Sequence, residues 1–176
     1  MDSAKQELRS AIRRSRREVS VTFDANRLTE LPEFQDGTVI ASYYSYGDEP
    51  STRDINAAIL AAGKTLLLPR LLPDNDLEFA IWDGNSTSLI SKGRTNEPLG
   101  AAFTGEIDLL ILPSLAVDKS GNRLGQGGGS YDRVLARVKA FSITLVLTEE
   151  VLDSIPTQPH DQTVRAALTP ERLIRF

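Results

Sequence analysis

Short apolar runs that end at breaker residues alternate along this chain with segments of helical spacing. An apolar run of this length is typical of a strand buried on both faces of a sheet. A strand, a helix and a second strand within about thirty residues predict a βαβ unit with parallel strands. The predicted buried strands are residues 38–44, 65–69, 107–112 and 143–147, and the predicted helices between and before them are residues 4–18, 52–62 and 131–137. The pattern therefore predicts one α/β domain over residues 1–176, with a mostly parallel, Rossmann-like, doubly wound sheet and flanking helices.

The remaining segments have weaker patterns. Residues 77–82 alternate and predict an added strand at a sheet edge, and residues 166–176 predict one or two short strands. Residues 86–106 are predicted to be loop-rich, residues 148–155 a short helix, and residues 23–37 stay ambiguous. The expected helix boundaries are Ser3 as an N-cap, Ser51 or Thr52 as a second N-cap, and Gly63 as a C-terminal stop.

Five glycines fall between the strand predicted at residues 107–112 and the helix at residues 131–137. They are Gly121, Gly125, Gly127, Gly128 and Gly129. A strand, a glycine-rich loop and a helix N-terminus in this order predict a phosphate site, because free N–H groups and the helix dipole face the anion. Arg123 adds a guanidinium inside the loop. The loop lacks the lysine of a Walker motif and matches a dinucleotide fingerprint only in part, so a surface hairpin without a ligand is the alternative.

Composition and charge narrow the function classes. With no cysteine and one histidine among 176 residues, disulfides, thiolate catalysis and His-clustered metal sites are excluded. The absence of an apolar leader or a membrane-length segment predicts a cytoplasmic protein without a membrane partner. The net charge of −4 argues against nucleic acid as a general partner. Six of the cations nevertheless precede residue 20: Lys5, Arg9, Arg13, Arg14, Arg16 and Arg17.

Four of these cations share one face of the predicted first helix, because Lys5, Arg9, Arg13 and Arg16 recur at spacings of three and four. Three interpretations stay open: a solvated surface helix, an arm for nucleic acid or an anionic surface, and a basic face turned toward an anionic ligand site.

The glycine-rich segment closely resembles the signature of the 5-formyltetrahydrofolate cyclo-ligase family, also called 5,10-methenyltetrahydrofolate synthetases. The matching residues are 112–118 (LPSLAVD), 121–125 (GNRLG) and 127–133 (GGGSYDR). Outlying matches follow in the same order as in the family: Lys5 with Arg9, Glu49 with Thr52, residues 64–70, and His160 with Asp161. The resemblance thus extends along most of the chain.

This resemblance implies an enzyme that uses ATP and Mg²⁺ to close 5-formyltetrahydrofolate into 5,10-methenyltetrahydrofolate, with release of ADP and phosphate. It implies a monomer whose partners are these two small molecules. The implied catalytic residues are Arg123, Gly127 and Tyr131, and the implied metal ligands are Asp132 and Asp161. The implied ATP-binding residues are Lys5, Arg9, Arg123, Leu124, Gly125, Gln126, Gly127, Gly128, Gly129, Ser130 and Tyr131. The implied folate-binding residues are Glu49, Tyr44, Gln126 and Ser130.

Several of these assignments have simpler alternatives. Asp132 is placed to cap the following helix, Asp161 to lie in an ordinary turn, and Glu49 to be solvated. The family often has an aromatic or basic residue where Gln126 stands and a tyrosine where Ser130 stands. The alternatives for the whole chain are therefore a non-catalytic nucleotide- or folate-binding relative, or a sugar-phosphate isomerase or acyl-carrier transferase on a similar sheet.

Overall fold

The computed structural model describes residues 2–176 and contains one large sheet with helices on both faces. The helices are α1 (Asp2–Arg16), α2 (Ala25–Thr29), α3 (Pro32–Asp36), α4 (Arg53–Ala61) and α5 (Ser130–Arg137). The strands of the large sheet are β1 (Val39–Ala41), β2 (Thr65–Leu71), β3 (Leu77–Ile81), β6 (Leu109–Pro113), β9 (Phe141–Leu145), β11 (Ala166–Leu168) and β12 (Leu173–Arg175). The other strands are β4 (Leu89–Lys92), β5 (Thr95–Pro98), β7 (Ala116–Asp118), β8 (Arg123–Leu124) and β10 (Val151–Leu152).

The order of strands in the large sheet is β12-β11-β9-β6-β1-β2-β3. The five inner strands are parallel, whereas β3 and β12 pair antiparallel at the two edges. The prediction of a mostly parallel α/β sheet with an added edge strand is therefore confirmed. The chain moves outward in one direction from β1 to β2 and in the other from β6 to β9, so β1 and β6 flank a topological switch point. Ligands of doubly wound sheets bind beyond the carboxyl ends of the strands at such a point.

The two faces of the sheet carry separate apolar cores. Alternate residues of each central strand point to opposite faces, so Leu109 and Ile111 lie in one core while Leu110 and Leu112 lie in the other. Helices α2 to α4 cover the first face, and α5 covers the second through Val134. Burial on both faces explains why the central strands read as continuous apolar runs.

Helix α1 packs on a second, smaller sheet rather than on the main one. This sheet has the order β10-β7-β8 and lies between β6 and the glycine residues along the chain. Ile12 of α1 belongs to a small apolar cluster with Leu115, Ala116, Leu124 and Ile155. The small sheet therefore carries α1 to the carboxyl edge of the main sheet.

Several sequence-based boundaries differ from the structure. Helix α1 already includes Ser3, whose hydroxyl donates to Glu7 Oε1 at 2.9 Å, so the prediction of Ser3 as an N-cap is wrong. Thr52 is the N-cap residue of α4, but its hydroxyl donates to the carbonyl of Tyr43 at 2.8 Å instead of capping the helix. The first strand is only Val39–Ala41, because the chain then turns away to form the ligand edge.

Two segments contain secondary structure that the sequence pattern did not predict. Residues 86–106 hold the β4–β5 hairpin, and residues 148–155 form a single 3₁₀ turn followed by β10 in place of the predicted helix. Residues 23–37, left ambiguous, fold as the short helices α2 and α3. The predicted stop at Gly63 is confirmed, since this residue has φ +71° just after α4.

Candidate active site

A cavity of about 240 Å³ opens beyond the carboxyl ends of β1 and β6, at the switch point of the sheet. The segment after β1 contributes Tyr43, Tyr44, Tyr46 and Glu49 to its wall. The glycine-rich segment and the first turn of α5 contribute the residues opposite: Gly125, Gln126, Gly128, Gly129, Ser130, Tyr131 and Asp132. Two motifs that lie about eighty residues apart in the sequence are thus brought to one cavity.

Arginines on the outer side hold the backbone of the glycine loop. Arg9 Nε donates to the carbonyl of Gly125 at 2.9 Å, and Arg13 Nη2 donates to the carbonyl of Gln126 at 3.3 Å. Arg133 Nη1 donates to the carbonyl of Gly128 at 3.0 Å. Because the N–H of a trans peptide points opposite to its C=O, the three following N–H groups face away from these arginines. The loop therefore presents backbone donors on the side opposite α1, as an anion site requires.

Two of the loop positions require glycine. Gly127 has φ +113° and Gly129 has φ +70°, a region that other L-residues rarely adopt. A Cβ on Gly129 would also lie 3.3 Å from Arg133 Nη1. Gly129 is the N-cap residue of α5 and no side chain caps this helix, so its N-terminal N–H groups remain available to a ligand.

Asp132 does not cap α5, so that alternative is wrong. Its Oδ1 accepts a hydrogen bond at 2.7 Å from Arg123 Nη2 and another at 2.9 Å from the backbone N–H of Gln162. Arg123 is buried, and burial lowers its guanidinium pKa while the neighbouring Asp132 raises it. The pair joins β8 to the first turn of α5 and places both side chains on the cavity wall.

Asp161 lies in the turn beside Gln162 and pairs with Lys5. The ammonium of Lys5 donates to Asp161 Oδ2 at 2.6 Å, and the Gln158 backbone N–H donates to the same oxygen at 2.6 Å. Burial alone would raise the pKa of Asp161, but these two hydrogen bonds keep it below its usual value. Because Gln162 binds Asp132, the two acidic residues are neighbours, and both lie close enough to Arg123 to raise its pKa.

Glu49 projects from the segment after β1 into the cavity. Burial raises the pKa of its carboxyl to about 7, although a hydrogen bond from the Tyr46 backbone N–H and the charge of Arg16 act in the opposite direction. The Tyr46 N–H lies 3.1 Å from Glu49 Oε2. The alternative of a freely solvated Glu49 is therefore wrong, and the carboxyl is held at the wall as a polar group in largely apolar surroundings.

The basic face of α1 is turned toward the protein. Lys5 and Arg16 are each only 5% exposed, so the interpretation of a solvated surface helix is wrong. Arg16 donates through Nε and Nη2 to the two carboxylate oxygens of Glu150, both at 2.7 Å, and also to the carbonyl of Ser114 at 2.7 Å. Arg13 donates to the side chain of Gln126 as well as to its carbonyl. The four aligned cations thus hold the edges of the cavity.

Not every residue singled out from sequence lies on the cavity wall. Lys5, Arg9, Leu124, Gly127 and Asp161 stand behind it, where they contact the residues that do. Tyr44 lines the cavity and packs edge-on against Trp82, with ring centroids 5.8 Å apart. Ser130 and Gln126 both line it too.

The β4–β5 hairpin forms a wall that sequence reasoning missed. Thr95, Asn96 and Glu97 line the cavity, and Glu97 Oε1 accepts from the Leu71 backbone N–H at 2.9 Å. The signal was present, because a glycine-containing two-residue turn at Gly93 separates two short segments able to pair. The buried partner of Arg16, by contrast, carries no sequence signal, since Glu150 lies 134 residues away.

Metal ligation in this region rests on few groups. The described side chains contain no cluster of three or more His, Cys, Asp or Glu residues able to hold a metal ion. Across residues 2–176, no helix is both long enough and apolar enough to cross a membrane.

Comparison with known proteins identifies the fold and the site together. Residues 2–170 match the model of the 5-formyltetrahydrofolate cyclo-ligase family. A 5-formyltetrahydrofolate cyclo-ligase from Mycolicibacterium smegmatis is 33% identical, covering 96% of this chain and 95% of the relative, and one from Mus musculus is 32% identical, covering 77% and 75%. The solution structure of Aquifex aeolicus 5,10-methenyltetrahydrofolate synthetase superposes with a TM-score of 0.81 at 26% identity, covering 97% of this chain and 92% of that one. With a family match over nearly its whole length and the glycine loop and Glu49 meeting at the switch point, this chain belongs to the 5-formyltetrahydrofolate cyclo-ligase family of enzymes.

Proposed function

We propose that this chain closes 5-formyltetrahydrofolate into 5,10-methenyltetrahydrofolate with ATP and Mg²⁺, releasing ADP and phosphate. The observation that carries the proposal is the single cavity that joins an anion-binding glycine loop to the Glu49 carboxyl. A triphosphate and a pterin can then bind side by side at the carboxyl edge of the sheet.

The chemistry explains why both sites must share one cavity. A formamide oxygen is a poor leaving group, and bonding it to the γ-phosphoryl group of ATP, with departure of ADP, converts it into a better one. The neighbouring folate nitrogen then bonds to the formyl carbon, the carbon–oxygen bond breaks, and phosphate leaves with the oxygen. The protein contributes positioning and charge neutralisation rather than a covalent intermediate.

The glycine loop and α5 supply the neutralising groups. The backbone N–H groups of residues 125–131 bind the phosphates, helped by the uncapped N-terminus of α5. Arg123 lies on the cavity wall with its Nε buried and without a hydrogen-bond partner among the described residues. A phosphoryl oxygen would satisfy that donor, and a buried donor without a partner is costly. Lys5 and Arg9 act from behind the loop by holding Asp161 and Gly125 in place.

Asp132 and Asp161 fit a magnesium ion bound with the phosphates. Each uses one carboxylate oxygen for its cationic partner, and within the described structure no hydrogen bond reaches Asp132 Oδ2 or Asp161 Oδ1. The nearest cation to Asp161 Oδ1 is His160 Nε2 at 3.8 Å. Mg²⁺ is commonly held by one or two carboxylates plus substrate phosphates, so two free oxygens suffice. The bound ion would neutralise charge on the transferring phosphoryl group.

The folate side of the cavity is formed by Glu49, Tyr44, Gln126 and Ser130. Glu49 accepts hydrogen bonds from the pterin N–H groups, and Tyr44 presents a ring for stacking, held by Trp82. Tyr131, half-buried with a pKa raised by burial, keeps a neutral hydroxyl between the two ligands. Ser130 leaves more room there than the tyrosine that the family often has.

The test is an absorbance assay for the methenyl product with ATP and Mg²⁺ added or omitted. Turnover is expected only when both are present. Asp132→Asn is expected to lower turnover on the order of a hundredfold, about 3 kcal/mol of transition-state stabilisation, and to raise the Mg²⁺ concentration for half-maximal rate. Asp153→Asn, at an exposed aspartate paired with Lys119, is the matched control and should leave both unchanged.

Binding of both ligands without any product in the wild-type protein would favour the non-catalytic alternative. Turnover by Asp132→Asn with an unchanged Mg²⁺ requirement would place the metal elsewhere and leave Asp132 as the partner of Arg123 alone.

A further inference from the structure

The β4–β5 hairpin is a fixed wall of the cavity. Its two strands pair from Leu89↔Pro98 to Lys92↔Thr95 around a turn in which Gly93 has φ +63°. Glu97 is 4% exposed and binds the backbone of Leu71 at the end of β2. Thr95, Asn96 and Glu97 then line the cavity together with Tyr46.

The cations beside this wall have partners with one exception. Lys92 Nζ lies 3.5 Å from Glu97 Oε2, and Arg70 Nη2 lies 2.9 Å from Glu78 Oε1. Arg94, at the tip of the hairpin, is exposed and makes no ion pair or hydrogen bond with any side chain that the structure describes. A fixed guanidinium without a partner, next to three cavity-lining residues, is available to an anionic ligand.

A second guanidinium approaches the cavity from α1. Arg13 donates to the side chain of Gln126, which lines the wall formed by the glycine loop. Burial and the nearby Glu49 raise the pKa of the Tyr46 hydroxyl, and both Arg94 and Arg13 act in the opposite direction. The two arginines therefore act on the same stretch of the cavity edge although they belong to different elements.

The size of the cavity places one end of the folate near these arginines. A cavity of about 240 Å³ is smaller than the roughly 300–1,000 Å³ that encloses a drug-sized ligand, so part of the folate must extend outside. The pterin and formyl groups must reach Glu49 and the glycine loop, which leaves the glutamate end at the opening. That end carries two carboxylates per residue in the monoglutamate and one more for each added γ-glutamyl unit.

We propose that Arg94, at the tip of the β4–β5 hairpin, binds the glutamyl carboxylates of the folate with Arg13 as a second charge, and so favours γ-glutamylated substrates. This inference rests on the proposed function for the identity of the ligand. It assigns a specificity role to a hairpin outside the glycine motif.

The experiment compares the KM values of 5-formyltetrahydrofolate monoglutamate and triglutamate for the wild type, Arg94→Ala, Arg94→Lys and Arg172→Ala. An exposed ion pair contributes about 0.2–1 kcal/mol, so Arg94→Ala should raise the KM of the monoglutamate by about 1.5- to 5-fold and that of the triglutamate by more. The KM for ATP and kcat should not change. Arg94→Lys should retain most of the affinity, and the difference between the substrates should shrink at high salt.

Arg172 is exposed on the opposite edge of the sheet beside β12, so its replacement controls for the loss of one surface charge. Equal triglutamate-to-monoglutamate KM ratios in Arg94→Ala and Arg172→Ala would overturn the inference while turnover upholds the proposed function. If the wild type formed no product, the proposed function would fail, and calorimetric affinities of the two folates for the same variants would decide the role of Arg94.

Discussion

Replacing Glu49 by glutamine is expected to stabilise the protein at high pH while weakening folate binding. The Glu49 carboxyl has a pKa of about 7 in the folded protein because burial penalises its charged form, against 4.5 in the unfolded chain. A carboxyl whose pKa is raised by folding leaves stability intact below pH 4.5. Stability is then lost as pH rises from 4.5 to about 7, since the unfolded chain releases its proton first.

The magnitude follows from the size of the shift. A difference of about 2.5 pKa units at about 1.4 kcal/mol per unit gives a penalty of about 3 kcal/mol once the carboxyl is ionised in both states. Because Glu49 is partly exposed, solvent screening makes this value an upper limit. Glutamine is uncharged at every pH and has nearly the same shape, so Glu49→Gln should remove the penalty without opening a cavity.

The assay is urea unfolding of the wild type and Glu49→Gln at several pH values from about 5 to about 8.5. The two curves should nearly coincide at about pH 5, and the variant should be more stable by about 1–3 kcal/mol at about pH 8. Glu106→Gln, at an exposed glutamate, is the matched control and should show no such trend. A stability difference that is independent of pH, or that reverses sign, would refute the assigned cause. The same variant should raise the KM for folate above pH 7, where the wild-type carboxylate is the hydrogen-bond acceptor.

Two further predictions concern α1. Arg9→Ala should raise the KM for ATP about five- to tenfold with little loss of stability, because a side chain that holds a loop carbonyl contributes about 1 kcal/mol or somewhat more when charged; Arg14→Ala, on the exposed face of the helix, should leave the KM unchanged, and equal KM values in the two variants would show that α1 does not position the loop. Arg16→Met should lower the free energy of unfolding by about 3–5 kcal/mol because it leaves the carboxylate of Glu150 buried without a partner. The double replacement Arg16→Met with Glu150→Leu should recover most of the loss in urea unfolding, and a double variant as unstable as the single one would contradict this explanation.

The sequence predicts the parts of this fold that local pattern controls. Strands β2, β6 and β9 lie within three residues of their predicted positions, because a strand buried on both faces must be apolar throughout. Strand β1 is shorter than predicted, since its apolar run continues into Tyr43 and Tyr44, which face the cavity and Trp82 rather than the sheet. The periodicity of buried strands and of cavity-lining aromatic residues is the same.

The contacts of the candidate site divide in the same way. The spacing of Lys5, Arg9 and Arg13 is a property of one helix, so the sequence predicts that they share a face. Their partners depend on how α1 packs against a small sheet that has no strong pattern: β8 has only two residues, and β10 has two. For this reason the sequence left the solvated, nucleic-acid and ligand-facing interpretations open, and only the packing of Ile12 decides between them.

The four aligned cations of α1 explain how a loop rich in glycine is kept in one conformation. Lys5 in the second turn binds Asp161, and Arg16 in the last turn is buried against Glu150, so both ends of the helix are fixed to the carboxyl edge of the sheet. Eleven residues of α-helix separate the two anchors, a rigid span of roughly 16 Å at about 1.5 Å per residue. Arg9 and Arg13 lie within that span and bind two successive carbonyls of the loop. Each glycine adds to the entropy that is lost when the loop is ordered, and hydrogen bonds from charged donors, at about 1.5–3 kcal/mol each, offset that loss before any ligand binds. Helix α1 therefore preorganises the anion site, which predicts that weakening either anchor affects ATP binding although neither anchor lies on the cavity wall.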